Sequence, residues 1–153
     1  MKKLFPFLIL LLLSVSCLKD ENGKVEQYIS HLKSGDFNIW RMPIFEISDI
    51  PQLLKYVRNE TLISVEAAHP FSSALIQKID VTIGMMALWT IEGTRLDADH
   101  PSSAPVVKDH LGQNVTQSKV ADLYERWWKK NKGESLAHLK EISPFEGTDY
   151  SWH

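Results

Sequence analysis

The chain carries a single cysteine among 153 residues. A disulfide framework needs cysteines in pairs and a thiolate zinc site needs several, so both are excluded. Glycine is also scarce, seven in all, with no clustered loop of the kind that cradles phosphate. No apolar run reaches the roughly 20 residues that a membrane-spanning helix requires. The longest, Leu4 to Val15, is twelve residues interrupted by Pro6 and Ser14. Positive charge is not in excess: 17 Lys and Arg face 19 Asp and Glu, for a formal charge of −2. A mildly acidic chain has no electrostatic attraction for phosphate backbones, so nucleic acid is not the expected partner.

What is present points first to export. Hydrophobic content of 44% and charged content of 24% are those of a folded chain, and the length suits one domain. Met1-Lys2-Lys3 gives a positive start, Leu4 to Val15 an apolar stretch, and Ser16 a small residue before Cys17. Those three features together describe a secretory signal over residues 1–16. Its loss would shorten the chain from 153 to 137 residues. Lys2 and Lys3 would leave with it, taking the charge from −2 to −4.

Leu13-Ser14-Val15-Ser16-Cys17 resembles the lipobox of bacterial lipoproteins, in which the cysteine is acylated and becomes the new N-terminus. Ser14 departs from the pattern, since an aliphatic residue usually stands three places before the cysteine; Leu13 lies one further out. The resemblance implies a membrane partner through a stable anchor, because two or more acyl chains hold a protein where one does so only marginally. Lys19, Asp20 and Glu21 resemble the signal that sends Bacteroidota lipoproteins to the outer face of the outer membrane, with the periplasmic leaflet as the alternative destination. Residues 17–24 then read as an acidic tether and 25–153 as the domain.

Periodicity within the domain is mainly helical. Val25, Tyr28, Ile29 and Leu32 form a helix stripe that stops at Gly35. Ser48 or Asp49 caps a helix with Pro51 in its first turn, expected to fade by Asn59. Thr61 to Ile76 reads as irregular around His69-Pro70. Ile79 to Leu96 reads as a central helix, apolar nearly all round, with Gly84 marking close approach by a neighbouring backbone. A buried strand over Val81 to Ile83 is its alternative. Val120, Leu123, Tyr124, Trp127 and Trp128 set the stripe of another helix, with Asp122 and Arg126 spaced as an i, i+4 pair and Gly133 closing it. A short helix over Leu136 to Ile142 precedes Pro144. The expected architecture is all-α, about five helices packed as irregular hairpins, against the alternative of α+β with a small strand element.

Chemistry-bearing residues are thinly spread. His31, His69, His100, His110, His138 and His153 include no pair three or four residues apart, so the helical zinc-protease motif is absent. Asp97, Asp99, His100, Asp109 and His110 make the densest set of metal-ligand types, and a small metal-dependent hydrolase using this loop is the alternative to a non-enzymatic role. Ser72-Ser73 lacks the glycine elbow of an activated serine. Glu92 and Arg95 are spaced for a buried ion pair. Trp127 and Trp128 are neighbours about 100° apart on a helix, so one faces inward while the other reaches solvent as a candidate binding surface.

The ordered series Ile50-Pro51-Gln52-Leu53-Leu54-Lys55-Tyr56, Pro70-Phe71-Ser72-Ser73, Ala87 to Arg95 and Tyr124-Glu125-Arg126-Trp127-Trp128 resembles a family of short Bacteroidota lipoproteins of unknown function. That resemblance implies a helical, HEAT-like domain and brings no cofactor and no assigned site. The resulting expectation is a non-enzymatic binding or assembly module on the outer membrane, with an outer-membrane protein or a glycan as its partner.

Overall fold

The computed structural model describes residues 21–35, 37, 42–68 and 76–153. The signal, Cys17, Lys19, Asp20, His69 and Ser72-Ser73 lie outside the described residues. Helix α1 spans Glu21–Ser34, and its stripe of Val25, Tyr28, Ile29 and Leu32 is buried as the spacing requires. It starts at Glu21, inside the stretch read as tether. Gly35 follows at φ 76, a left-handed stop that a side chain would resist.

A 3₁₀ turn, Ile47–Asp49, leads into the short helix α2, Ile50–Leu53, with Pro51 in its first turn. The helix fades sooner than Asn59 because its ladder tightens: Lys55 N donates to Gln52 O and Tyr56 N to Leu53 O, both three residues back. Strand β1, Leu62–Ala68, then pairs antiparallel with β2, Ile76–Thr82, in the register Leu62↔Thr82, Ile63↔Val81 and Val65↔Ile79.

This hairpin, with a second small sheet near the C-terminus, overturns the all-α expectation: the fold is mixed, with two antiparallel two-stranded sheets beside the helices. The central helix is shorter at its start than the apolar run from Ile79 suggests. From Ile79 to Ile83 apolar and polar residues alternate, and Ile79, Val81, Thr82 and Ile83 are β-branched, both strand features. Helix α3 starts only at Ile83, where Thr82 Oγ1 accepts the Met85 amide as its N-cap.

Helix α3, Ile83–Leu96, is the hub; α1, α2, helix α4 (Gln117–Asn131) and helix α5 (Leu136–Glu141) all pack against it. Its residues Met86, Ala87, Leu88, Trp89 and Ile91 are sealed from solvent. Gly84 lets the chain pass: a Cβ there would stand 2.5 Å from Val57 O, the close backbone approach its position implied. Strands β3, Val107–Lys108, and β4, Ser151–Trp152, pair antiparallel and bring the C-terminus back to the domain. Ala104 N donates to His153 O and His153 N to Val106 O, so the last residue is stitched on both sides.

Candidate functional site

Among the described residues four places hold chemistry-bearing side chains: a buried polar chain at the hub, the 97–110 loop, the tryptophan pair, and a cleft beside α1.

The buried chain is built on one face of α3. Glu92 Oε1 accepts from Arg95 Nη2 at 2.6 Å and Oε2 from Arg95 Nε at 2.9 Å, the ion pair their spacing suggested. Tyr124 of α4 donates its hydroxyl to Glu92 Oε2 at 2.7 Å, and Trp152 of β4 donates Nε1 to that same hydroxyl oxygen at 2.8 Å. Arg95 Nη1 reaches the carbonyls of Leu139 and Lys140, which end α5. One carboxylate thus ties three helices and the C-terminal strand together. Burial, and then the neighbouring Glu92 charge, push the Tyr124 hydroxyl well above its ordinary pKa, so it stays protonated as a donor. Every polar atom of this group that needs a partner has one within the protein. That is the arrangement of a structural network, with no open valence for a substrate.

A second buried hydroxyl pair follows the same logic. Thr90 Oγ1 donates to Met86 O at 2.8 Å, which leaves its oxygen to accept from Tyr28 at 2.8 Å. Burial raises the Tyr28 pKa, opposed in part by that hydrogen bond.

Of the loop residues that read most like metal ligands, Asp97, His100, Asp109 and His110 point to separate partners, and Asp99 lines the cleft beside α1. Asp97, the left-handed C-cap of α3 at φ 55, pairs with Lys140 Nζ at 3.0 Å. His100 stacks on the indole of Trp89, ring centres 5.5 Å apart. Asp109 turns back to accept the amides of Leu111 and Gln113, and His110 pairs with Asp149 near the C-terminus. That hydrogen bond from His110 holds the Asp149 carboxyl below its ordinary pKa. Among the described residues, no three His, Cys, Asp or Glu side chains gather into a metal-binding group.

The tryptophans divide as their helical angle requires. Trp127 is buried and donates Nε1 to Ile142 O at 3.0 Å. Trp128 is half-buried and leans on Trp127, ring centres 5.9 Å apart. Only Trp128 presents surface, so the pair is not a flat platform for a sugar. The i, i+4 pairing of Asp122 with Arg126 gives way to a longer reach: Arg58, just after α2, takes Asp122 at 2.6 Å and Glu125 at 2.7 Å. Sequence spacing had no signal for Arg58, which lies 64 residues from Asp122. Nor did it mark Trp152 as the partner of Tyr124; the one hint was the aromatic content of the tail, where Phe145, Tyr150 and Trp152 follow Pro144.

A small open cleft of about 90 Å³ lies between Met42–Phe45 and the C-terminal end of α3. Gly93 lets the 97–99 turn close one wall, since a Cβ would meet Ala98 O at 2.8 Å. The cleft is well below the roughly 300–1,000 Å³ of a typical small-molecule site. Its apolar wall ends in Ile44, which stands 83% exposed.

Among the described residues no helix is long and apolar enough to cross a membrane. Neither a curated protein nor a solved structure matches the chain. A family model does, over residues 19–153, and the chain belongs to the family described as Domain of unknown function (DUF4943).

Proposed function

We propose that the protein is a lipid-anchored outer-membrane lipoprotein whose domain serves as a non-enzymatic binding or assembly module, held through Cys17 and directed outward by Lys19, Asp20 and Glu21. The observation that carries this reading is the N-terminal sequence. A positive start, a twelve-residue apolar run too short to span a bilayer, and a small residue before the chain's single cysteine together give that cysteine a role. The binding role is supported by the way the domain uses its ionisable groups. Glu92 and Arg95 are consumed in packing, and Asp97, Asp109 and His110 each hold a loop or a terminus in place.

Mass spectrometry of the mature protein tests the anchor: the reading requires an N-terminal cysteine carrying acyl chains, and Cys17→Ser should leave the protein unlipidated and in the soluble fraction. An unmodified N-terminus, or cleavage at another bond, would overturn it. Replacing Lys19, Asp20 and Glu21 with alanine should protect the domain from protease added to intact cells; undiminished shaving would remove the outward signal. In vivo crosslinking should capture an outer-membrane partner in a complex that survives purification and weakens when exposed aromatics such as Trp128 are changed.

A further inference from the structure

Among the described residues three large apolar side chains stand clear of the surface: Ile44, Leu62 and Leu111. Ile44 is set apart by its neighbours. The residue after it, Phe45, packs edge-on against Tyr28 of α1 and lies 5.3 Å under Lys24 Nζ. Lys24 is in the first turn of α1, so the Pro43-Ile44 loop borders the start of that helix.

Helix α1 opens at Glu21, four residue steps beyond Cys17. Four steps cover at most about 14 Å even when fully extended. A domain of this size has a radius of gyration of about 14 Å and so a diameter near 36 Å. A link of that length cannot let the far side of the domain reach the leaflet. Only the end where α1 begins comes within range.

We infer that the start of α1 and the adjacent Pro43-Ile44 loop form the membrane-facing end of the domain, with Ile44 seated in the interfacial layer of the leaflet that holds the Cys17 anchor. The inference rests on the lipidation proposed above and adds an orientation to it. Its partner is a lipid surface, and the contact is apolar. Among the described residues there, Lys24 is already paired with Asp49 at 2.8 Å, and Glu26 and Glu46 are exposed, so these side chains offer anionic headgroups no net positive charge. One isoleucine does not bind a bilayer unaided; the anchor holds it there.

Leu62 supplies the comparison. Thr61 O accepts Ile83 N at the first residue of α3, whereas Ile44 shares the cleft with Gly93, Thr94 and Asp97 at the other end of that helix. The 14 residues of α3 set the two ends about 20 Å apart.

Acylation consumes the chain's single thiol, so Ile44→Cys and Leu62→Cys each create a unique labelling site in the full lipidated protein. Both positions are exposed, and neither change removes core packing. Each variant, carrying a polarity-sensitive fluorophore, is reconstituted into phosphatidylcholine vesicles that contain a nitroxide-labelled lipid. A segment lying about 5–10 Å into the headgroup and acyl boundary should be quenched about twofold or more above one held in water. The expected result is that excess at Ile44 over Leu62. Equal quenching, or stronger quenching at Leu62, in protein that is acylated and floats with the vesicles would overturn the orientation and leave the anchor standing. Protein that lacks the acyl chains, by mass, would overturn the anchor and the orientation with it.

Discussion

Two carboxylate–guanidinium sites in this domain have nearly the same geometry and opposite surroundings. Arg95 meets Glu92 at 2.6 Å with both side chains under a tenth exposed. Arg58 meets Asp122 at 2.6 Å with both about half exposed. Distance therefore does not separate them; solvent does. In water an ion pair competes with hydration and side-chain freedom, and its net worth is small. In the interior both charges have already lost their water, so each depends on the other and on the hydrogen bonds around it. Arg95 and Glu92 have those bonds, from Tyr124 and to the carbonyls of Leu139 and Lys140. The lesson is that the inner site governs whether α3, α4 and α5 stay together, while the outer one trims the surface.

The largest effect should come from breaking the inner site on one side. Arg95→Ala strands the Glu92 carboxylate and should cost about 3–5 kcal/mol in urea unfolding. A loss under about 1 kcal/mol would put both sites in one class and end the comparison. The double change Glu92→Met with Arg95→Met should recover much of the loss, since neither charge is then left alone.

Tyr124→Phe tests the same site more gently. It keeps the ring but removes the donor to Glu92 and the acceptor for Trp152, and about 1–3 kcal/mol should go. Because Trp152 then has no partner for Nε1, its fluorescence should shift along with the stability. An unchanged emission spectrum would mean that the C-terminal strand is not read through this hydroxyl.

Much of this was visible in the sequence, and the failures share a cause. Helix α4 was legible because Val120, Leu123, Tyr124 and Trp127 repeat at helical spacing within its fifteen residues, and α1 for the same reason. Glu92 and Arg95 were legible because both lie within one helix. The β1–β2 hairpin was legible only as the alternative strand over Val81 to Ile83, because its second strand runs straight into α3 without a turn signal. The apolar run from Ile79 onward therefore looked continuous, although its first five residues alternate. Arg58 with Asp122, and Trp152 with Tyr124, were invisible because their spacing is set by tertiary closure, which no local period encodes.

The outer site also borders a packed contact that sequence did foresee. Gln117 Nε2 donates to Val57 O at 2.9 Å, close against Gly84, which itself donates its amide to Asn59 O. We attribute the α2–α3–α4 junction to this uncharged knot, with Arg58 a minor contributor. Gly84→Ala would drive a Cβ to 2.1 Å from Gln117 Nε2 and 2.5 Å from Val57 O, and should cost about 1–3 kcal/mol through forced displacement. Arg58→Ala should cost only about 0.2–1 kcal/mol and less in high salt. If Arg58→Ala proved the more damaging of the two by urea titration, the ranking of packing over surface charge would be reversed.

The smallest effect should come from the exposed pair of His110 and Asp149. The hydrogen bond from His110 holds the Asp149 carboxyl below its ordinary value near 3.8 in the folded protein. A carboxylate with a depressed folded pKa stabilises the fold above its unfolded pKa, and that contribution disappears as pH falls through the folded value. The window therefore lies on the acid side, below about pH 4. Asp149→Asn should shift the urea midpoint slightly at pH 6 and less at pH 3, where the unfolded carboxyl is already largely protonated. A displacement of equal size at both values would assign the role of Asp149 to shape or backbone contacts instead of charge, and would leave the pair outside the graded series that runs from Arg95 to Arg58.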